Sequence, residues 1–529
     1  MKSSDYNLPN VRPQSDYLYE RRGPWPQPQP AHPFGFAPGV AHVPKDEIRH
    51  WNRTTGLRYF FTVLTYWPFA AWYAWKHRSL EPLSDEQFEE YLTHSSLSKF
   101  ISDELNEPKR SKCPQNEKLR YFAEFMKKEP NESWWVSDFT LVKDVKKMTI
   151  PGVYVEPTIA LFKGPLVNGK RKAVAIYFPE IVAEGGELGL MLTPDDGNAW
   201  ELAKYFVMQG ASLRISLSAH ANLHFPYDSI NAITKSALPK DSVLLRLLLP
   251  HLELSLELNH NVLNSKTSPV QNPHNMPYAA LPSGPDGLAT LFLYGYHGML
   301  NNPPEDDKGN LIFNPSYPMY RYQMEPKVFH SDYGTFLMAY YDTVDLFIMN
   351  VILQIPKEEY VDIMVWADYI QQWVPDFPKG HEIFEETKTG LKFRTEGEFV
   401  ILAKAISSVV WDLSIGHAVD HYDYSTININ HMPFCIRVPP PASKNIPPID
   451  RKAMIGWWDI FKHKYERQMF FVARNVTLLK DVRYNFYKPN ESNLHHLNDQ
   501  FLKTLQETEK NLKVYNYIPL HQISRSIQY

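Results

Sequence analysis

Cysteine is nearly missing from this 529-residue chain: only Cys113 and Cys435 occur, too few for a disulfide framework. Charge is modest as well. A net charge of −4 and a pI near 6.6, with no basic stripe and no nucleic-acid motif, give no footing for a nucleic-acid partner. The extreme N-terminus is polar and has no signal-peptide pattern, so a cytoplasmic or peripheral-membrane location is expected. Without a secretory signal, the sequons at Asn52, Asn131, Asn475 and Asn490 carry little meaning. The uncharged stretch Tyr59–Trp75 has 17 residues and contains Pro68, short of the about 20 that a spanning helix needs. The leading 150 residues also lack the alternation of a β-sandwich.

Aromatic residues (14%) and 43 prolines are what the chain has in quantity, as expected of a large helical body with long Pro-studded connections. Residues 1–45 are Pro-rich and read as an extended or disordered arm. Residues 46–149 form an N-terminal helical segment around the aromatic stretch 59–75, nine of whose residues are aromatic. Three readings of that stretch stay open: a helix docked on the body, interfacial contact with a membrane, or a span. Helices are predicted at 84–105 and 116–127, and β structure at 150–185. Helical periodicity then dominates, at about 197–224, 243–263, 333–354, 357–373, 395–421, 451–474 and 491–513, with long loops at 264–290 and 298–328. The fold class is mainly α with a small β-containing region.

Four histidines in two i,i+4 pairs, His220/His224 and His417/His421, lie in apolar helical stretches nearly two hundred residues apart. Residues four apart share a helix face, so each pair can aim two imidazoles at one point. With 20 histidines in the chain, one such pair would more often be structural. Two pairs in buried helices match the way helical proteins assemble metal sites.

The segments around them resemble the catalytic domain of the lipoxygenases, in the same order and at nearly the same spacings. Trp200, Ala203 and Lys204 fall on that family's W-x-x-A-K, and Leu248, Pro250, His251 and Asn259 on its L-L-x-P-H and following Asn. Pro433, Arg437, Pro439, Pro440 and Pro441 match P-x-x-x-R-x-P-P-P, and the last fifteen residues fit the Y-x-Y…S-x-x-I ending. The resemblance covers roughly 150–529 and implies a minimal lipoxygenase-like helical catalytic domain without the N-terminal PLAT-type β-sandwich. It implies a non-haem iron, or manganese, held by His220, His224 and His417, with His421 as a fourth ligand and the main-chain carboxylate of Tyr529 as another. The implied reaction is hydrogen abstraction by a metal(III)–hydroxide from a polyunsaturated fatty acid or similar polyene, followed by O2 addition to give a hydroperoxide. Val262 and Leu263 stand where the family shapes its substrate channel.

Several positions depart from the family. Its first two histidines are five apart, reconciled by a π-type bulge, whereas His220 and His224 are four apart and ordinary α geometry suffices. Pro226 should still interrupt the helix. Val262 replaces a small residue, Leu263 an Arg, and Tyr529 an aliphatic terminus. Asp420 and Asp423 read either as outer acceptors for a ligand or, more plainly, as surface carboxylates at a helix end. His251 resembles by motif a histidine outside the ligand set, and a packed core role is expected rather than ligation; Cys435 reads as core, and His260 and His431 as incidental. These departures leave room for a hydroperoxide isomerase or an oxidative enzyme acting on a polyketide-like chain. They also leave room for a non-catalytic lipid-binding or membrane-associated protein of this fold.

Overall fold

The structure, a computed structural model, describes residues 19–20, 39–40, 43–102, 105–106, 117–165, 170–183, 185–224, 227–264, 281–284, 287, 291, 332–373, 377–472, 476–486, 491–512 and 517–528. The loops expected at 264–290 and 298–328 fall largely outside that set, as do Cys113, Asn475, Asn490 and Tyr529. So does most of the expected arm; of it, Tyr19–Glu20 (β1) pairs antiparallel with Gly39–Val40 (β2), and Val43 is buried.

Helices follow along the chain. The first ten are α1 Lys45–Trp51, α2 Leu57–Lys76, α3 Asp85–His94, α4 Glu117–Lys128, α5 Lys143–Lys146, α6 Asn198–Leu213, α7 His220–His224, α8 Tyr227–Ala237, α9 Val243–Leu248 and α10 Ser255–Asn264. Then come α11 Asp332–Ile352, α12 Tyr360–Trp373, α13 Gly380–Ile383, α14 Glu396–Trp411, α15 His417–Thr426, α16 Trp457–Phe470 and α17 Ser492–Leu512. Cap chemistry sets several starts. Ser84 and Gln87 form a reciprocal capping box on α3, and the Thr395 hydroxyl accepts from the Gly397 and Glu398 amides at α14. The expected interruption at Pro226 lies outside the described residues, between α7 and α8.

One antiparallel sheet runs β3 (Ile101–Ser102), β4 (Trp134–Asp138), β5 (Ile159–Lys163), β6 (Lys172–Val182), β7 (Leu188–Leu192). Every residue of β4 and four of the five in β5 are buried, because the strands are covered on both faces. The expected boundary at 149/150 falls between β4 and β5 of this one sheet, whose strands pair directly from Trp134↔Lys163 to Asp138↔Ile159. A short hairpin joins β8 (Phe384–Thr387) to β9 (Gly390–Phe393). Among the described residues no second sheet faces the first as a sandwich would require.

Two large apolar cores make up most of the interior, with two smaller clusters beside them. The first joins the sheet, α6, the inward face of α2 and α16; the second joins α8, α9, α11, α12, α14 and the C-terminal stretch Ile518–Ile527. In α6 nearly every side chain is buried, so its polar groups need internal partners. Lys204 donates to the Leu83 carbonyl (2.7 Å) and to Asp85 Oδ1 (2.5 Å), which also accepts from Trp200 Nε1 (2.9 Å). The W-x-x-A-K segment thus fastens the N-terminal region at the start of α3. Gln209 donates to the Tyr154 and Phe434 carbonyls (2.9 and 2.8 Å), and Gly210 leaves room for Phe139, whose Cβ would lie 2.7 Å from an added methyl.

Candidate metal centre

The two histidine pairs are built by the same local device. A long buried helix (α6, α14) runs into one π-type turn, Arg214–Ala219 or Asp412–Gly416, and the ordinary helix that follows opens on a histidine. A π turn takes an extra residue per turn and so rotates everything after it about the axis. Here it lies before the pair rather than inside it, so His220 and His224 share one face across a single α turn. The residues beside His220 (Ala219, Ala221) belong to the first core and those beside His417 (Ile415, Ala418) to the second. The site therefore sits on the seam between the cores.

All four rings turn their Nε2 atoms inward. His220 to His224 is 2.8 Å, His224 to His417 is 3.1 Å, and His220 to His421 is 2.9 Å. One nitrogen from each ring lies within 4.8 Å of every other. His417 is fully buried, His421 and His224 nearly so, and His220 retains 12% side-chain exposure. Burial is the largest influence on each ring and lowers its pKa, well below the ordinary value for His224, His417 and His421. The rings are therefore neutral at pH 7, the form in which imidazole offers a lone pair.

The donor set fits a metal ion. Two nitrogens at about 2.1 Å from an ion and at right angles to each other stand about 3.0 Å apart, which is the spacing of the observed neighbours. Iron, zinc, copper and nickel all accept imidazole, so ligand type alone does not choose among them.

Outer contacts fix the rings. His224 Nδ1 is 2.8 Å from Asn259 Oδ1, and the Asn259 amide donates to Asp228 Oδ1 (2.6 Å) and to the His224 carbonyl (3.2 Å). An amide oxygen can only accept, so the His224 proton resides on Nδ1 and Nε2 keeps its lone pair. Asp420 is not a surface carboxylate: it is 1% exposed, pairs with the buried Lys99 ammonium, and sets Oδ2 3.8 Å from His220 Nδ1. That distance is an electrostatic approach rather than a hydrogen bond. Of Asp423 only the main chain is described. Phe471, just beyond α16, covers the cluster, its ring centroid 4.9 Å from His421 and 5.9 Å from His220.

The other residues singled out in the sequence lie apart from the four rings or outside the described set. His251 is fully buried away from the cluster, with Nδ1 2.7 Å from the Arg525 carbonyl and Nε2 2.9 Å from the Tyr484 hydroxyl; burial takes its pKa down to about 4. Val262 is partly buried against the first core, one turn along α10 from Asn259, whereas the Leu263 side chain lies outside the described set. Tyr529 is likewise outside it, but its neighbour is held firmly. The Gln528 carbonyl accepts from Arg58 Nη2 (2.7 Å) and Thr55 Oγ1 (3.1 Å), and Arg58 is close enough to lower the His421 pKa. His431 is not idle: it meets the Tyr91 hydroxyl (3.0 Å) and the Pro82 carbonyl (3.1 Å). Cys435 is buried, and Arg437 grips Asp459 at the start of α16 through two hydrogen bonds (2.5 and 2.8 Å).

No family model matches the sequence, and no curated protein matches it. Solved structures do. A coral 8R-lipoxygenase aligns over 98% of this chain and 80% of its own, with a TM-score of 0.67 at 15% identity. A fungal lipoxygenase from Fusarium graminearum covers 84% of this chain and 80% of its own, with a TM-score of 0.57 at 13% identity. A lipoxygenase variant solved anaerobically in complex with arachidonate covers 97% and 80%, with a TM-score of 0.64 at 15% identity. The chain has a lipoxygenase-like fold: mainly α, with a small β region and, among the described residues, no PLAT-type sandwich.

Proposed function

We propose that this protein is a non-haem metal-dependent dioxygenase that inserts O2 into a polyunsaturated fatty acid or a similar apolar polyene, giving a hydroperoxide. The observation that carries the reading is the convergence of four Nε2 atoms from two distant helices on one buried point. The fold adds weight, since its solved likenesses are lipoxygenases, one of them in complex with arachidonate. His220, His224, His417 and His421 would hold iron or manganese, with the Tyr529 carboxylate as a further oxygen donor. When bound, such an ion supplies the one-electron chemistry needed to activate a C–H bond between two double bonds.

The chain's own residues supply the rest. Asn259 keeps the His224 proton on Nδ1, so Nε2 stays directed at the cluster. Asp420, neutralised by Lys99, sets a fixed dipole behind His220. Phe471 and the two flanking cores keep most water from the rings of His224, His417 and His421. Arg58 and Thr55 hold the penultimate carbonyl, which limits where the terminal carboxylate can reach. Val262 and Leu263 follow Asn259 on α10 and would shape the path of the acyl chain; a Val side chain there narrows it relative to a smaller residue.

Elemental analysis of the purified protein together with oxygen uptake on linoleate tests the reading. Iron or manganese should be present in stoichiometric amount, and His417→Ala should lose both the metal and the uptake. Protein purified without metal that takes none up, or absence of uptake with any diene substrate, would overturn it.

A further inference from the structure

Helix α2 is inverted relative to an ordinary surface helix. Its body-facing side packs on α16 through Tyr59–Phe470, Tyr66–Tyr465 and the Lys464 ammonium over Tyr73, and only Ala70 and Ala74 are fully buried. The other side carries Leu57, Phe60, Phe61, Leu64, Trp67, Trp72 and Trp75, between 48% and 60% exposed. At about 100° per residue these positions fall on one broad face, so they form a stripe along about 27 Å of helix. Among the described residues, eighteen large apolar side chains are exposed and nine of them lie on this helix. A patch of that concentration marks a binding surface.

Charge indicates the occupant. From Ile48 to Leu80 the chain has five cations (Arg49, Arg53, Arg58, Lys76, Arg78) and no carboxylate. Glu81, the next acid, is turned onto His77, Asn428 and Asn430. At the C-terminal end of the stripe Lys76 lies over Trp72 and Arg78 over Trp75, placing ammonium and guanidinium at the edge of the aromatic band. Indole and phenyl groups with basic residues at their border are the composition that settles at the headgroup level of a bilayer. Spanning is disfavoured. The one described helix long and apolar enough to cross a membrane is the Glu396–Thr426 run, whose most apolar stretch is largely buried in the protein and which carries His417 and His421.

We propose that α2 docks this protein onto an anionic phospholipid surface, lying in the interface with the Phe61–Trp67–Trp75 side immersed and Lys76 and Arg78 against the headgroups. Thr55, in the turn before α2, and Arg58, in its first turn, hold the Gln528 carbonyl at the N-terminal end, away from Lys76 and Arg78. The proposal stands apart from the oxygenase reading, because partitioning is measured without turnover.

The test is flotation of the full-length protein with vesicles of phosphatidylcholine alone and of phosphatidylcholine with phosphatidylserine. The wild type should float with the serine-containing vesicles, less so in high salt. Phe61→Ser/Trp67→Ser/Trp75→Ser should reduce partitioning about tenfold or more while keeping the wild-type circular dichroism and melting temperature. A second variant, Lys76→Glu/Arg78→Glu, should lose the preference for anionic over neutral vesicles. Absence of partitioning, or equal partitioning of wild type and triple variant, overturns the proposal. So does a wild-type dimer in sedimentation that the triple substitution dissolves, since a second copy would then be covering the stripe.

Discussion

Lys99 and Asp420 show what burial does to single residues. Their side chains are 7% and 1% exposed and meet as an ion pair behind His220. Removing one partner leaves an isolated charge in the interior, which typically costs about 3–5 kcal/mol, whereas removing both can be close to neutral. Lys99→Met should therefore lower the unfolding free energy by that amount, and Lys99→Met/Asp420→Asn should recover most of it. Urea denaturation of both variants checks this. A single variant as stable as the wild type would mean that water reaches Asp420. The sequence offered Asp420 only as one of two carboxylates near a helix end. Its partner lies 321 positions away, in a segment with no motif of its own.

Helices and turns account for the way the rings converge. The pattern of His220/His224 and His417/His421 was readable because a helix repeats its face every three to four residues. The turns that rotate each pair into place were not, since Arg214–Ala219 and Asp412–Gly416 have no distinguishing composition. Helix α8 is not among the helices read from the sequence, although Tyr227, Ile230 and Ile233 recur at helical spacing. Packing against the sheet region is equally local. Phe139 fills the notch left by Gly210 on α6, so Gly210→Ala should overpack that contact and destabilise by about 1–3 kcal/mol. Thermal unfolding of the variant measures it; an unchanged transition would show that Phe139 can withdraw without strain.

For the molecule as a whole, buried titratable groups set a pH optimum. Burial lowers the pKa of His220, His224, His417, His421 and His463, and takes His251 to about 4. A histidine held below its unfolded value of about 6.5 contributes fully above that pH and loses its contribution as pH falls toward the folded value. Burial raises Asp412 and Glu466 to about 8 and Asp228 well above its ordinary value. Each of these carboxyls stabilises at low pH and loses that contribution as pH rises from about 4 toward its folded value. Among the groups just named, six histidines oppose three carboxyls below about pH 6.5, and above it only the carboxyls change. Stability of the metal-free protein should therefore peak near pH 6.5. Each net proton taken up on unfolding over the interval down to pH 5 amounts to about 2 kcal/mol. Urea midpoints from pH 5 to 8 test this, and a flat profile would contradict it.

Period and composition in the chain itself determined the helical class, the long helices of the body, the two histidine pairs and the aromatic stretch, because each is a repeat within a few residues. Only the tertiary structure decided that β3 and β4 join the sheet of the main body, that Asp420 is buried, and that α2 turns its aromatic side outward. It also decided that Thr55 and Arg58 hold a carbonyl 470 or more positions away. Contacts of that range depend on how the two cores come together, and no local pattern of residues encodes which distant segment will fill a given gap.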